Sequence, residues 1–253
     1  MQSASLENDL PVSKRAHYIW DRYMRSYDYL NTVDSYTRNI NDIAERVDPS
    51  PGMKILDAGS GTGNLSELLA SRGADVLSCD VSASALEVHK KKNPLARVLK
   101  ASLEEPLPLK DNEYDAVCCA SVLFALSKNG CKVAMSEFRR ILRPGGLAVI
   151  TVATPTKSNF GLLRKHLRDV LGKRSWREVL AELLKLPALL KILHYNQALQ
   201  KLPDWQGYHR FTETELRELA ESAGFSDISV GRTYAGGFYL LTAKKPTSVE
   251  ENI

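Results

Sequence analysis

Short apolar runs alternate with amphipathic stretches along the chain, beginning near residue 53. Turn residues bound the runs, and this alternation is typical of βα units that build a parallel sheet. The apolar runs predict strands near residues 54–57, 75–80, 97–101, 115–120 and 147–153. The stretches between them predict helices near residues 64–72, 84–91 and 129–142, the last one ending at RPGG. An α/β core is therefore expected.

The pattern changes after the fifth predicted strand. Leucine-rich, basic segments with helical spacing extend from about residue 159 to residue 202, with Pro187 as an interruption. The segment FTETELRELAESAGF then predicts a helix, which Thr212 can cap together with Glu215 and which Gly224 can end. The runs DISVGRT and GGFYLLTAKK predict an antiparallel pair that turns around residues 234–237.

Composition and charge narrow the class of protein. The 253 residues are 43% hydrophobic and 25% charged, which fits one large globular domain with an inserted subdomain. No apolar run is long enough for a secretory signal or a membrane span, so a cytoplasmic location is expected. The cysteines lack the spacing of zinc sites, and reduced, buried thiols with no metal are predicted at positions 79, 118, 119 and 131.

The net charge is unevenly distributed. The whole chain carries +4, but residues 156–202 contain ten lysines and arginines against three acidic residues, a net charge of +7. The rest of the chain is therefore mildly acidic, and the basic character belongs to the inserted segment.

The clearest chemical signal is ILDAGSGTGNL, residues 55–65, which places three glycines directly after the first predicted strand. A glycine-rich turn between a strand and a helix usually holds part of a nucleotide. A dinucleotide site has a third glycine where this chain has Asn64, and Asp57 would repel the two phosphate charges. S-adenosylmethionine has no phosphate, and its ammonium group would suit the carboxylate of Asp57.

The residues around Asp57 support the same cofactor. Gly59, Ser60 and Gly61 would let main-chain amides approach the methionine part. Asp80 ends the next predicted strand, where a carboxylate can accept both hydroxyls of a ribose. NAD sites share that rule, so Asp80 predicts an adenosine cofactor and Asp57 favours S-adenosylmethionine over NAD.

Five segments occur in an order that resembles the class I S-adenosylmethionine-dependent methyltransferases, specifically the small-molecule group with the ubiquinone-biosynthesis type core: ILDAGSGTG, SCDVS, SLEEPLPLKDNEYDAV, CCASVLFAL and FRRILRPGGLAVIT. The resemblance covers roughly residues 27–244 apart from the insertion. It implies a Rossmann-like, mostly parallel sheet of seven strands in the order 3-2-1-4-5-7-6, with strand 7 antiparallel and helices on both faces. The expected parts are an N-terminal helical cap (1–50), an S-adenosylmethionine-binding core (51–155), a helical lid inserted after strand 5 (156–205), the C-terminal completion of the core (206–245) and a disordered tail (246–253).

The resemblance also implies cofactor contacts at the ends of strands 1, 2 and 4 and in the segment SYDYLN. Tyr27 in that segment would cover the cofactor or would only hold an N-terminal helix on the domain, and Cys119 would face the methionine part or only fill the core. Ser102 stands where this group commonly has an acidic residue, and Phe124 where it often has histidine or tryptophan. The predicted contacts are Tyr27, Asp57, Gly59, Ser60, Gly61, Asp80, Val81, Ser102, Leu103, Cys119, Ala120 and Phe124.

Methyl transfer from a sulfonium requires alignment and exclusion of water, and a base only for some acceptors. His17 and His209 are the candidate bases, because His89 is expected in a surface helix and the other two histidines, at 166 and 194, lie in the insertion. Either candidate could instead be structural or solvated. The expected function is methylation of a small, bulky and largely apolar molecule on oxygen, nitrogen or carbon. The alternatives are an S-adenosylmethionine-binding module without catalysis and an NAD-dependent oxidoreductase.

The insertion permits three interpretations. It can be a lid over the acceptor pocket, a solvated basic face on a helical cap, or a set of basic amphipathic helices that contacts a membrane surface. Nucleic acid is disfavoured, because the run after strand 4 lacks an N-P-P-Y type motif and no basic patch is interleaved with stacking aromatic residues. A small-molecule acceptor is therefore the expected partner, and the oligomeric state stays open.

Overall fold

The computed structural model describes residues 34–154, 210–233 and 237–247, together with residues 19, 22–24, 28, 176, 180, 190, 191, 194, 195, 197 and 198. Its strands are β1 (Lys54–Ala58), β2 (Asp75–Asp80), β3 (Arg97–Lys100), β4 (Tyr114–Ala120), β5 (Leu142–Ala153), β6 (Ser226–Thr233) and β7 (Phe238–Lys244). The helices of these ranges are α1 (Asp34–Val47), α2 (Asn64–Ser71), α3 (Ala83–Lys92), α4 (Lys128–Ile141) and α5 (Glu213–Ser222), with a 3-10 turn at Leu123–Ala125.

The seven strands form one sheet in the order β3-β2-β1-β4-β5-β7-β6. Strands β1 to β5 pair in parallel, and β7 is antiparallel to both of its neighbours. The predicted fold class is therefore confirmed for the sheet and the helices around it. Because β1, β2 and β4 run in the same direction and lie side by side, their carboxyl ends meet at one edge, where ligands of open α/β sheets bind.

Apolar side chains cover both faces of the sheet. On one face α1 and α2 pack against the strands through residues such as Ile43 and Leu69, and on the other α4 and α5 pack through residues such as Phe138 and Leu216. Cys118 belongs to the first cluster and Cys119 to the second, as the alternation along a strand predicts. Burial of both faces explains the consecutive apolar residues in the central strands β1, β4 and β5.

The predicted start of α5 is confirmed in detail. The hydroxyl of Thr212 accepts a hydrogen bond from the Glu215 amide at 3.2 Å, and the Glu215 carboxylate accepts one from the Thr212 amide at 2.7 Å. Gly224, with φ +81°, follows the end of the helix. The sequence alone was sufficient here because a capping box satisfies its own hydrogen bonds within four residues.

The predicted start of the fifth strand was wrong. The structure begins β5 at Leu142, so RPGG lies inside the strand instead of before it. Leu142 pairs with Tyr114, and the register shifts before Leu147 pairs with Ala116. Pairing with β4 keeps this segment extended despite its proline and glycines, because an irregularity in the ladder accommodates the extra residues.

Candidate active site

The turn between β1 and α2 requires glycine at three positions. Gly59, Gly61 and Gly63 have φ values of +76°, +54° and +83°, a left-handed region that side chains disfavour. The turn brings the chain from the end of β1 to the first residue of α2 at the carboxyl edge of the sheet. Glycine is thus needed for the conformation itself, before any ligand is considered.

Two neighbouring elements hold this turn in place. The amides of Gly59 and Ser60 both donate to the carbonyl oxygen of Cys79, at 2.7 and 2.9 Å, and so join the turn to β2. A Cβ on Gly59 would lie 2.3 Å from Cγ2 of Val122, in the segment after β4. The turn therefore fits closely between the ends of β2 and β4, and Val122 leaves no room for a side chain at Gly59.

Asp80, at the end of β2, joins the turn to the following helix. Its Oδ2 accepts a hydrogen bond from the Gly61 amide and its Oδ1 accepts one from the Ser82 amide, both at 2.8 Å. Ser82 in turn caps α3, since its hydroxyl accepts from the Ala85 amide. A carboxylate has about four acceptor positions, so this role in the loop is compatible with the predicted ribose contact.

Asp57 is a buried carboxylate with one oxygen satisfied. Its Oδ2 accepts a hydrogen bond from the Ser66 hydroxyl at 2.6 Å, and the Ser66 hydroxyl accepts one from that of Ser78. Its Oδ1 has no hydrogen-bond partner among the described residues. Burial raises the pKa of Asp57 to about 7; the hydrogen bond from Ser66 opposes that shift and the charge of Asp80 adds to it. A buried carboxylate oxygen without a donor is costly, so this position suits a ligand that brings one.

A second buried polar atom lies in the same turn. The hydroxyl oxygen of Ser60 is also buried and has no hydrogen-bond partner within the part of the chain that the structure describes. Native proteins satisfy most buried polar atoms, so two unsatisfied ones within four residues indicate a place where polar ligand atoms bind.

The predicted cofactor contacts Val81, Ser102 and Leu103 lie beyond the ends of β2 and β3. Val81 follows Asp80 and is 39% exposed, an unusual position for an apolar side chain beside a buried acid. Leu103 is buried, and the Ser102 hydroxyl accepts a hydrogen bond from the Glu104 amide at 3.1 Å. Since the O–H of Ser102 still carries a proton, it keeps a donor that an acidic residue in its ionised form would lack.

The predicted methionine contacts lie at the end of β4. Cys119 is fully buried, and burial raises the pKa of its thiol well above the ordinary value. Ala120 is partly exposed, and Ser121 turns the chain with φ +59° while its amide donates to the Thr151 carbonyl at 2.9 Å. Phe124 lies half-buried in the following 3-10 turn. Apolar side chains therefore border the turn on this side.

Three predicted site residues, Tyr27, His17 and His209, lie outside the described residues. The predicted lid and tail also lie outside them, apart from single positions and residues 246–247. Their roles stay predictions.

His89 lies in the predicted surface helix, but its side chain points into the interior. Its side chain is fully buried, and a Cβ on Gly63 would lie 2.3 Å from its ring carbons. Its Nε2 lies 2.7 Å from Oε1 of Glu67 in α2. The helix that carries His89 docks on the glycine turn, and the missing side chain of Gly63 creates the space for the imidazole. Helical periodicity within α3 gave no sign of this contact, because it depends on another element.

Comparison with known proteins places these features in a family. A family model described as a methyltransferase domain matches residues 56–150. A demethylmenaquinone methyltransferase of Streptomyces avermitilis is 34% identical over 245 residues, covering 91% of this chain and 95% of that protein. The chain belongs to the S-adenosylmethionine-dependent methyltransferases. A second demethylmenaquinone methyltransferase, from Renibacterium salmoninarum, is 35% identical over 236 residues and 88% of each chain.

Solved structures agree on the fold of this methyltransferase. An S-adenosylmethionine-dependent methyltransferase from Thermotoga maritima has a TM-score of 0.61 at 18% identity, covering 91% of this chain and 99% of that one. The 1,6-didemethyltoxoflavin-N1-methyltransferase of Burkholderia thailandensis, with bound S-adenosylhomocysteine, has a TM-score of 0.60 at 16% identity, covering 94% and 91%. Membership of this family makes S-adenosylmethionine the cofactor of the chain.

The residues at the turn fit that cofactor. An ammonium group would supply the donor that Oδ1 of Asp57 lacks, and polar atoms of the methionine part would satisfy the Ser60 hydroxyl. The sequence predicted both of these contacts, but it did not reveal the roles of Ser66 and Ser78. Their hydroxyls form a hydrogen-bonded chain that ends on Oδ2 of Asp57. Ser66 lies 9 positions after Asp57 in α2, and Ser78 lies 12 positions further along in β2, so no local pattern links them to Asp57.

Proposed function

We propose that the methyltransferase methylates a small, largely apolar acceptor, with a quinol of the demethylmenaquinone type as the first acceptor to test. The observation that carries this proposal is the near full-length similarity to demethylmenaquinone methyltransferases. It extends beyond residues 56–150, the region matched by the general methyltransferase model. Sequence similarity outside the shared methyltransferase core supports a shared class of acceptor, because acceptor specificity depends on residues that differ between proteins of the same fold.

For the cofactor we propose five principal contacts. Asp57 binds the ammonium group and Ser60 the neighbouring polar atoms, a role that their unsatisfied buried oxygens support. Asp80 binds the ribose hydroxyls, while Val81 and Leu103 pack against the adenine. The exposure of Val81 supports this role, since a flat apolar ligand would cover it.

The segment after β4 supports an apolar acceptor. Residues 119–126 read CASVLFAL and contain no charged side chain. Val122 contacts the glycine turn closely enough to exclude a Cβ on Gly59, so this segment borders the proposed cofactor site. A neutral, apolar border favours a ring or a hydrocarbon chain over a charged amine.

The reaction is an in-line displacement, for which the sulfonium of the cofactor supplies an electrophilic methyl group. The proposed task of the protein is to align the acceptor with that carbon and to exclude water. A quinol hydroxyl must lose its proton as the ring or the oxygen attacks, and we propose His209 or His17 as the base. The described residues of the β4 segment contain no titratable group that is suited to this step.

We further propose that the inserted segment approaches an anionic membrane surface, where an apolar quinol would reside. Its net charge of +7 supports this contact. The apolar side chains of Trp176, Leu180 and Leu190 are 71%, 48% and 54% exposed. Basic charge beside exposed tryptophan and leucine is typical of surfaces that bind at a lipid interface. None of the helices in the described part of the chain is long and apolar enough to cross a membrane.

The acceptor is tested by incubating the purified protein with methyl-labelled S-adenosylmethionine and a panel of acceptors. The panel contains a reduced short-chain demethylmenaquinone, its oxidised form, a hydrophilic catechol and a primary amine. Mass spectrometry of the products gives the methylated compound and, by fragmentation, the atom that carries the methyl group. We expect methylation of the quinol above all other acceptors; methylation of the catechol or the amine instead would contradict the proposed acceptor class.

Two aspartates provide a matched pair of variants. Asp80→Ala should weaken S-adenosylhomocysteine binding by about 1–3 kcal/mol, because charge-assisted hydrogen bonds are lost. Asp75 lies at the opposite end of the same strand and pairs with Arg97 at 2.6 Å. Asp75→Ala should leave binding unchanged. Equal affinity of the Asp80 variant and the wild type in calorimetry would refute the ribose contact.

Membrane contact is tested separately by sedimentation with phospholipid vesicles. We expect binding to anionic vesicles that weakens with salt and with Trp176→Ser, and little binding to neutral vesicles. Equal binding to both vesicle types, or no binding to either, would contradict this part of the proposal.

A further inference from the structure

A cluster of polar side chains fastens the N-terminal segment to the glycine turn. The carboxylate Oδ1 of Asp28 accepts a hydrogen bond from the hydroxyl of Thr62 and lies 3.0 Å from Nζ of Lys92. The same ammonium donates to Oδ1 of Asn64 at 2.8 Å. We call these four residues, Asp28, Thr62, Asn64 and Lys92, the Asp28 latch.

The latch joins three parts of the fold that are distant in sequence. Thr62 lies within the glycine turn and is fully buried, Asn64 is the first residue of α2, and Lys92 is the last residue of α3. Asp28 precedes Thr62 by 34 positions. The contact therefore attaches the N-terminal segment directly to the turn that is proposed to bind the cofactor.

Tyr23, five positions before Asp28, makes a contact with the insertion. The ring of Tyr23, which is 5% exposed, packs edge-on against Tyr195 of the insertion, with 6.1 Å between ring centroids. The segment that contains Tyr23 and Asp28 thus contacts both the insertion and the cofactor turn.

The composition of the latch suits a contact that opens and closes. The side chains of Asp28 and Lys92 are 37% and 32% exposed, and ion pairs at such exposure contribute little to the stability of a fold. The buried end of the latch is the Thr62 hydroxyl, inside the turn itself. Because the Asp28–Lys92 pair is weak and Thr62 belongs to the turn itself, Asp28 can separate from both residues without unfolding of the domain.

We propose that Asp28 is a positioning residue for cofactor binding, which holds the glycine turn and the end of α3 together through Thr62 and Lys92. Cofactor exchange then requires the Asp28 latch to separate. This inference rests on the proposed cofactor loop. Asn64, which distinguishes the motif from a dinucleotide site, gains a role here because its side chain holds the lysine of the latch.

The test measures how fast S-adenosylhomocysteine leaves the full-length protein, by stopped-flow displacement with excess unlabelled ligand. We expect Asp28→Asn and Lys92→Met each to raise the dissociation rate by about 5–20-fold, while the double variant is no faster than either single one. Lys91→Met, at the exposed neighbouring position of α3, should leave the rate unchanged. The thermal midpoint of the ligand-free protein should be the same in all variants.

Salt gives an independent readout that a structural role would not share. High ionic strength should accelerate dissociation from the wild type, because it screens the partly exposed pair, and should change it little in Lys92→Met. Unchanged dissociation rates in Asp28→Asn and Lys92→Met would overturn the proposal, as would an equal effect of Lys91→Met. A lowered thermal midpoint of the ligand-free variants would assign the pair to the fold and overturn it as well.

The Asp80→Ala variant distinguishes failure of the proposed cofactor loop from failure of the proposed role of the Asp28 latch. If Asp80→Ala binds S-adenosylhomocysteine as tightly as the wild type, the proposed cofactor loop itself is wrong. If Asp80→Ala weakens binding but Asp28→Asn leaves the dissociation rate unchanged, only the role of the Asp28 latch is refuted.

Discussion

Replacing Asp57 by asparagine should stabilise the ligand-free methyltransferase and abolish most of its cofactor affinity. The wild-type side chain is a buried acid, and burial raises its pKa from 3.8 to about 7. Asparagine has nearly the same shape and can still accept the hydrogen bond from the Ser66 hydroxyl, but it carries no charge at any pH. The substitution therefore isolates the effect of the charge.

The stability effect follows from the direction of the pKa shift. The folded protein binds this proton more tightly than the unfolded chain, so the stability contributed is fully present below pH 3.8 and is lost as the pH rises through 7. Above pH 7 that loss amounts to about 4 kcal/mol at one pKa unit per 1.4 kcal/mol. The asparagine amide would lack an acceptor at the Oδ1 position, a cost of about 1–3 kcal/mol.

The net gain of Asp57→Asn should therefore be about 1–3 kcal/mol at pH 8, or about 2–12 °C in the thermal midpoint for a chain of this length. Near pH 5 the advantage should disappear, because the penalty on the wild-type acid has by then fallen to about 2 kcal/mol, close to the cost of the unpaired asparagine amide. The measurement is differential scanning calorimetry of both proteins, free of ligand, between pH 5 and pH 8.

Cofactor binding should show the opposite trend. Only the ionised carboxylate attracts an ammonium group, so the dissociation constant of wild-type S-adenosylhomocysteine binding should rise about tenfold per unit below pH 7 and be constant above it. Asp57→Asn should bind about 100-fold more weakly at pH 8, with no dependence on pH between 5 and 8. Ser66→Ala removes a hydrogen bond that stabilises the ionised form, and should move the midpoint to higher pH.

Calorimetric titrations across this pH range test the reasoning, with Asp75→Asn as the control. A wild-type affinity that stays constant from pH 5.5 to pH 8 would refute the ionisation argument. Tight, pH-independent binding by Asp57→Asn would show that the ammonium group binds elsewhere.

Three further predictions concern residues that support the site or lie near it. Gly63→Ala should destabilise the protein by about 2–4 kcal/mol in denaturant titrations, because its Cβ would meet the buried ring of His89. Gly52→Ala has the same left-handed φ but open space, so its cost should be only about 1 kcal/mol; equal costs would contradict a packing role for His89. Thr212→Ala should cost about 1 kcal/mol without changing S-adenosylhomocysteine affinity, and a changed affinity would contradict the separation of the α5 cap from the site. Burial, with the charges of Asp80 and Asp57 adding to it, raises the pKa of Cys79 to about 12, so mass spectrometry should detect no iodoacetamide adduct at pH 8 until the protein unfolds.

Much of the core was accessible from sequence because its signals are local. A strand buried on both faces is mostly apolar, and a left-handed turn favours glycine, so β1 and the turn at Gly59–Gly63 were found from residue types alone. The same holds for the Thr212 cap. The order of the strands came from the resemblance to a family, because pairing between strands leaves no mark on the alternation within each one.

Side-chain contacts between elements were decided by the tertiary structure. The sequence placed His89 in a surface helix, and the docking of that helix, α3, on Gly63 buries the side chain. The sequence placed Asp57 beside a cofactor, whereas its pKa depends on the depth of burial and on Ser66. Asp28 and Lys92 are 64 positions apart, and they meet only because the fold brings them together. Periodicity and turn chemistry act within a few residues, while burial and long-range pairing depend on how complete elements pack.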